Sequence, residues 1–424
     1  MSQDENTALA ALGALLGYVG AEAATTAPFE HLLWPQRHLS NFSLRDAPAV
    51  ALLMPMGGPF HKAALETFDI FHRHGLLFAS SRRGHMLGTA FFTEIGWTYN
   101  VHEAGKMPEI KETRNCLWAP ALGLLPVPEI NDGKSPEKRA EQGEKKPKPA
   151  VRARISVSHL TFSRPTPGDK ASSEIPLVRE DTRAPSLRII TALVVAESSA
   201  IIVAAVVVAV WRTSWALLWL APLFLRLVSA VFAVHREPLS APGPDPDPGP
   251  SHDYQVHCPR SNGDFMVFTG PPAVVLQFMR HYAHPVRSRA RETLQLLVVI
   301  ALGAVFPLGL VASALFMPLP LQYVWFGYQM FLVVGLHVAR YSRRVAAVST
   351  HAAIADALAG SGAILFGHRR NDPETIRVDL AVTYHDRHAE GRLAVERLLN
   401  RHKGPEKDLL APSRSNSEIL AKAV

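Results

Sequence analysis

Cysteine is almost missing from this chain: two residues, Cys116 and Cys258, in 424. Two distant cysteines exclude a disulfide framework and a cysteine-rich zinc module, and they suit segments that sit in a reducing cytosol. Positive charge is missing at the start. No Lys or Arg precedes Arg37, and the opening Met-Ser-Gln-Asp-Glu is acidic, which disfavours a basic secretory leader or an Arg-rich presequence. Catalytic signatures are missing as well: there is no GxSxG, no HExxH and no pair of catalytic acids. An enzyme reading therefore has no residues to name, and no cofactor is expected.

What the chain has is hydrophobic length. Apolar residues make up 48% of it, and they fall in blocks rather than in amphipathic periods. Residues 189–234 form two apolar runs parted by Trp211-Arg212-Thr213-Ser214, and a second pair follows at 294–317 and 321–339. A membrane crossing needs about 20 mainly apolar residues to cover a hydrocarbon core of ~30 Å. The four segments 189–210, 215–234, 294–316 and 321–339 meet or approach that length, and each pair reads as a tight helical hairpin. The expected fold is a mainly α membrane protein with four transmembrane helices in two hairpins, small α+β cytosolic segments and disordered linkers.

The basic residues give the hairpins a direction. Arg183 and Arg188 precede the first segment, and His235-Arg236 follow the second. Arg287, Arg289 and Arg291 precede the third, while Arg340, Arg343 and Arg344 follow the fourth; between them the two tight turns hold only Arg212. The positive-inside rule then places both termini and the middle loop in the cytosol. Trp211, Trp215 and Trp219, with Tyr323, Trp325 and Tyr328, mark the outer headgroup level. The net charge of +7 clusters beside the apolar runs, so it points to anionic lipid rather than to nucleic acid. An endomembrane and the plasma membrane remain equally open, because no sorting signal is read.

Two charges lie inside the apolar runs. Glu197 is eight residues into the first segment and Arg226 eight residues before the end of the second. In an antiparallel hairpin both sit roughly 12 Å from the cytosolic boundary, a depth match that an intramembrane ion pair requires. Ala192, Ala196, Ala200 and Ala204 give the first segment a small-residue stripe for close packing. The pair reads either as a structural clamp, which one carboxylate and one arginine across four segments favour, or as part of a transport path. Pro307, between Gly303 and Gly309, marks a kink in the third segment. His337 lies near the inner end of the fourth.

The soluble parts divide by composition. Residues 1–130 read as an α/β-like region. Within it 7–27 is a small-residue helix that is interfacial, buried or spanning, with Gly13 and Gly17 in GxxxG spacing. A buried strand is expected at 49–54, a Pro-Gly turn at 55–59, a helix at 60–74, and strands at 76–79 and 86–92. With Lys62 nearby the turn invites a phosphate-loop reading, but it lacks the GxxxxGK[ST] spacing and has a proline where amide donors are needed, so it reads as a plain turn. His72 and His74 diverge on a helix. Asn41-Phe42-Ser43 is a glycosylation sequon only if it faces a lumen. Residues 131–187 read as a mostly disordered linker carrying one strand at 155–162.

Hairpin 1 then spans 188–236, a Pro/Gly linker 237–252, a cytosolic β-hairpin and helix 253–292, hairpin 2 residues 293–340, a second β-hairpin and helix 341–402, and a disordered tail 403–424. The Asn262-Gly263 turn and the strict alternation at 375–384 support the two β-hairpins, which would pack into one small domain. His257, Cys258, His281 and His284 are weighed as zinc ligands, and His385 with His388 likewise; juxtamembrane histidines among arginines are the simpler account. The sequence thus points to a non-enzymatic membrane protein of structural or interaction type. The alternatives are a small transporter or channel subunit using Glu197 and Arg226, and a membrane enzyme without a recognisable motif. Its expected partners are the lipid bilayer, a cytosolic protein and, as an open case, further copies of itself.

Overall fold

The computed structural model describes residues 3–73, 97–103, 106–114, 117–126, 154–165, 174–241, 250–258 and 263–400. The strands expected at 76–79 and 86–92, most of the linker at 131–153 and the tail at 403–424 lie outside these residues. The described chain is a mixture of helix and sheet in two layers, a helical bundle and a sheet.

The bundle begins with α1 (Gln3–Ala23), α2 (Ala27–Leu33), α3 (Pro35–His38), α4 (Ala47–Leu53) and α5 (His61–Arg73). It continues, after a short helix α6 (Trp118–Leu122), with α7 (Leu187–Ala196), α8 (Ser198–Trp211) and α9 (Ala216–Val231). The small helix α10 (Pro272–Leu276) then precedes α11 (Arg289–Phe316) and α12 (Leu319–Tyr341). Two helices, α11 at 28 residues and α12 at 23, are long and apolar enough to cross a membrane, and α7–α8 makes a third if the bent pair is one span. The bend of 57° falls at Glu197, the one residue between them. Helix α9 has 16 residues, about 24 Å at 1.5 Å per residue, and is short for a crossing. Helix α11 runs unbroken through Pro307.

Small residues set the closest approaches. Ala192, Ala196, Ala200 and Ala204 are all buried, as the every-fourth-residue stripe expects. On α1, a Cβ at Gly13 would meet Leu310 of α11 and come within 2.8 Å of Phe326 of α12, and one at Gly17 would come within 2.8 Å of Phe306. At Gly20 it would meet Pro59 and come within 2.7 Å of Val333. The GxxxG face therefore packs directly on the last two apolar helices. These contacts also give direction: rising residue numbers on α1 meet rising numbers on α12 and falling numbers on α11. Helix α1 runs parallel to α12.

The strand expected at 49–54 is instead helix α4. Pro48 occupies its first turn, and the following Ala-Val-Ala-Leu-Leu run contains good helix formers; a short apolar run does not by itself separate a strand from a buried helix. The interfacial aromatics are also corrected in part. Tyr323 is exposed, but Trp219, Trp325 and Tyr328 are buried inside the bundle, because Trp325 and Tyr328 share the helical face of Leu321 and Leu332 that packs inward.

The second layer revises the expected small α+β segments. Among the described residues eight strands form a single sheet in the order β2-β1-β5-β6-β3-β8-β7-β4. They are β1 (Thr98–His102), β2 (Glu109–Glu112), β3 (Ile155–Ser163), β4 (Leu177–Val178), β5 (His252–His257), β6 (Phe265–Gly270), β7 (Ala363–Phe366) and β8 (Ile376–His385). Strand β3, from the stretch expected as a linker, sits at the middle, parallel to β6 and antiparallel to β8. Its partners lie more than a hundred residues away in sequence, beyond the reach of any local periodicity. One face carries Leu160, Phe162, Phe268 and Val378 against Trp118 and Phe278, with α13 (Thr350–Ser361) completing that layer; the other buries Val157 and Val267 against Val395 of α14 (His388–Asn400).

Candidate functional site

Residues 54–60, Met-Pro-Met-Gly-Gly-Pro-Phe, join α4 to α5 and cannot be helical, since two prolines lack the amide and two glycines lower helix propensity. This peptide enters the bundle: Pro59 lies against Gly20, Gly57 beside Tyr328 and Gly58 beside Leu336. Non-helical backbone among packed apolar helices needs partners for its polar groups, and Glu197 and Arg226 supply them. Arg226 Nη1 donates to Glu197 Oε1 at 2.8 Å and to the Met54 carbonyl at 2.8 Å. The Met56 amide donates to Glu197 Oε1 at 2.9 Å, and Gln329 Nε2 donates to the Gly57 carbonyl at 3.2 Å. Glu197 and Arg226 are 0% and 1% exposed; Glu197 Oε1 and Arg226 Nη1 are engaged with each other and with this peptide, while Glu197 Oε2 and Arg226 Nε have no hydrogen-bond partner among the described residues. Glu197 caps the break between α7 and α8, which frees its side chain to point at the peptide.

Beneath this clamp, on the side of the sheet, opens a cavity of about 750 Å³. One wall is α2–α3, with His31, Trp34, Arg37 and His38; the Met54–Met56 peptide and Arg226 form its end. The opposite wall is the end of α12, the 3₁₀ segment Arg343–Val348 and His351 in the first turn of α13. Leu336, Phe60 and Met56 make its apolar side.

Three histidines define the polar side. The rings of His31 and His38 stand 4.8 Å apart between centroids, and those of His38 and His351 6.2 Å apart. Among the described residues none of the three makes a hydrogen bond through its ring nitrogens, and the surface they retain opens into the cavity. Burial holds all three neutral. His31 is lowered to about 4 by desolvation and then by Arg226; His351 is lowered to about 3 by desolvation and then by Arg37. His38 lies well below its ordinary value, first from desolvation and then from His31, His351, Arg37 and Arg236. Desolvation and the neighbouring guanidinium groups thus both disfavour a charge on these imidazoles.

A buried network frames it. The Trp34 ring lies beneath two guanidinium groups, Arg37 at 4.0 Å and Arg236 at 3.7 Å from its centroid, a cation–π sandwich. Arg37 grips both carboxylate oxygens of Glu180, with Nη2 at 3.0 Å. Tyr282 donates its hydroxyl proton to Glu180, and Thr350 Oγ1 donates to Glu180 Oε1 at 3.3 Å. Burial, and then the Glu180 charge, push the Tyr282 phenol well above its ordinary value. Glu180 thus ties the segment before α7 to α3, to Tyr282 beyond α10 and to α13. Arg236 also donates to the Ala283 carbonyl at 3.0 Å.

The other residues singled out in the sequence do not assemble. Among the described residues no three His, Cys, Asp or Glu side chains converge as metal ligands, so His257, Cys258, His281 and His284 form no zinc centre. His388 packs its ring on Phe265 and His385 meets Thr383. His74 lies outside the described residues, as does the side chain of His72. Lys62 pairs with Glu22 at the surface at 2.8 Å, and His337 Nδ1 lies 2.9 Å from the Val333 carbonyl one turn back. The histidine cluster escaped the sequence reading because its members are scattered over three hundred residues. One signal was present: His31, Trp34 and His38 recur at intervals of three and four, the spacing of one helical face. No known family profile, curated protein or solved structure shows significant similarity to this chain.

Proposed function

We propose that this chain is an integral membrane protein of non-enzymatic, structural or interaction type, with two helical hairpins holding a sheet domain against the cytosolic face. Two observations support the membrane reading. The helices of the bundle carry many exposed large apolar side chains, among them Ile202, Phe224, Leu308, Leu315, Met330 and Val334, the kind of surface that marks contact with a membrane. Strands from before the first hairpin, between the hairpins and after the second join one sheet. Each hairpin must then leave and return on the same side, which suits α7–α8, α9, α11 and α12 as four crossings. The clustered arginines at those returning ends put the sheet and the C-terminal helix in the cytosol. Helix α1 alters the expectation for the N-terminus: running parallel to α12, it carries the first residues toward the face opposite the sheet, where their lack of Lys and Arg fits.

The observation that carries the structural reading is the use made of Glu197 and Arg226. Their hydrogen bonds go to one another and to the backbone of the 54–60 peptide, which is the work of a clamp. A second reading, a transporter or channel subunit, is favoured by one specific observation: the cavity ends at Arg226 and at an unwound peptide beside a broken helix, an arrangement that substrate sites in membranes use. Reconstitution separates the two. Under the structural reading, proteoliposomes of the parent and of Glu197→Gln show the same background flux of protons, cations and small anions; flux in the parent that the variant abolishes would replace it with the transport reading. Extraction of the protein from membranes by alkaline carbonate would sink both.

A further inference from the structure

The cavity between the bundle and the sheet has a chemistry that neither reading uses. Its lining combines two chemistries. Phe60, Met56 and Leu336 form an apolar side continuous with the bundle core. His31, His38 and His351 form a polar side whose imidazole nitrogens meet no protein partner among the described residues. All three side chains are half-buried, and their nitrogens are open to the cavity, so a ligand there would meet three imidazoles free to hydrogen-bond to it. Among the described residues its lining includes Arg37, Arg226 and Arg340 against the single carboxylate Glu30. Arg37 and Arg226 are paired with Glu180 and Glu197, but Arg236 also stands over the Trp34 ring of the lining, so four guanidinium groups stand around the cavity against three carboxylates. A volume near 750 Å³ is that of a site for a medium-sized organic molecule.

We infer that this cavity binds a single-chain anionic amphiphile, its carboxylate or phosphate head among His31, His38 and His351 and its chain along Met56, Phe60 and Leu336. The head accepts hydrogen bonds from the imidazole N–H groups and sits in the field of Arg37 and Arg226. The chain follows the apolar wall toward the bundle. Arg340, exposed at the end of α12 with its Nη1 on the Glu22 carbonyl, stands at the rim. A ligand of this kind is at hand in any bilayer, so the inference rests on the membrane reading above; it adds what the protein recognises.

The test uses the full chain in nanodiscs of neutral phosphatidylcholine, with binding of radiolabelled oleate, 1-oleoyl-lysophosphatidate, oleyl alcohol and inorganic phosphate measured in parallel. Oleate or lysophosphatidate should bind at least about tenfold more tightly than oleyl alcohol, the scale of one charge-assisted hydrogen bond. Whichever is preferred tells a carboxylate head from a phosphate head. The double variant His31→Leu/His38→Leu should remove that preference while leaving residual binding of the alcohol, and Met56→Trp should weaken every chain-bearing ligand. Equal binding of oleate and oleyl alcohol by the parent overturns the inference even if the variants fail to fold. So does inorganic phosphate binding as tightly as lysophosphatidate, because the chain would then contribute nothing. A protein that resists carbonate extraction yet binds none of the probes refutes the ligand and leaves the membrane reading intact; one released by carbonate refutes the membrane reading itself.

Discussion

Replacing Arg226 with methionine should be among the most damaging single changes in the bundle, and replacing Glu197 at the same time should undo much of the damage. Methionine keeps most of the volume of the arginine stem. It leaves the Glu197 carboxylate, 0% exposed, with the Met56 amide as its one remaining hydrogen-bond donor among the described residues. Breaking a buried ion pair from one side costs about 3–5 kcal/mol, and the orphaned Met54 carbonyl adds roughly 1–3 kcal/mol. Glu197→Gln alone breaks the pair from the other side and should cost on a similar scale of about 3–5 kcal/mol, because the buried Arg226 guanidinium loses its counter-charge although it still reaches the Met54 carbonyl. In the double variant no buried charge remains, and the loss should fall short of the sum of the single losses by about 2 kcal/mol. Unfolding of the four proteins in one detergent, followed by helical circular dichroism, measures the cycle. Additivity within about 0.5 kcal/mol would mean that the two side chains do not interact, and the clamp would have to be abandoned.

Four further outcomes follow from the same geometry. Gly13→Leu should push α1 off α11 and α12, since even a Cβ there meets Leu310 and Phe326; overpacking of that kind costs about 1–3 kcal/mol, and proteolysis near the N-terminus should accelerate, whereas Leu12→Ala on the exposed face should leave it unchanged. His31 and His351 have folded values of about 4 and about 3, below the unfolded value near 6.5, so the unfolded chain binds more protons than the folded one and stability falls as pH drops below 6.5. Between pH 7 and pH 5 the loss is about 2 kcal/mol for each histidine; a melting midpoint independent of pH over that range, or equally steep in a His31→Leu/His351→Leu variant, would contradict it. Glu180→Gln should loosen the contact between bundle and sheet by leaving Arg37 buried beside a neutral amide, detected as faster hydrogen exchange in the first turn of α13. An epitope tag at the N-terminus should be reached by antibody on the face opposite a C-terminal tag; labelling of both from the cytosolic side would reverse the direction assigned to α1.

Local pattern made part of this architecture legible. The strict alternation of Ile376, Val378 and Leu380 predicts a half-buried strand, and β8 is that strand, with Ile376 and Val378 buried. The equal depth of Glu197 and Arg226 in adjacent apolar runs predicts their proximity, and they stand 2.8 Å apart. What the pattern cannot convey is the third party to that contact. Met54 and Met56 lie more than 140 residues from Glu197, and nothing in a Pro-Met-Gly-Gly-Pro peptide says that it enters a bundle. The same holds for Glu180, which looked like one acid in a charged linker. Its meaning comes from Arg37, 143 residues away, and from burial that only the tertiary fold creates. Helix and strand identity can be read from periods of 3.6 and 2, whereas partners across a fold have no period.

The clamp also explains why a charged pair persists where apolar residues would pack more stably. A buried ion pair seldom adds net stability over a hydrophobic replacement, so its retention points to something an apolar pair cannot do. Leucine or methionine at 197 and 226 would fill the volume, but the Met54 carbonyl and Met56 amide would then lie among apolar helices without partners. The peptide would have to withdraw toward water or fold into a helix that its prolines forbid. Arg226 and Met54 form the end wall of the cavity, so withdrawal of the peptide would also remove that wall. The ion pair, the broken helix at Glu197, the non-helical 54–60 segment and the cavity are thus one device. Its charges hold open a space that a fully helical bundle would have closed, and the neutral imidazoles of His31, His38 and His351 face that space.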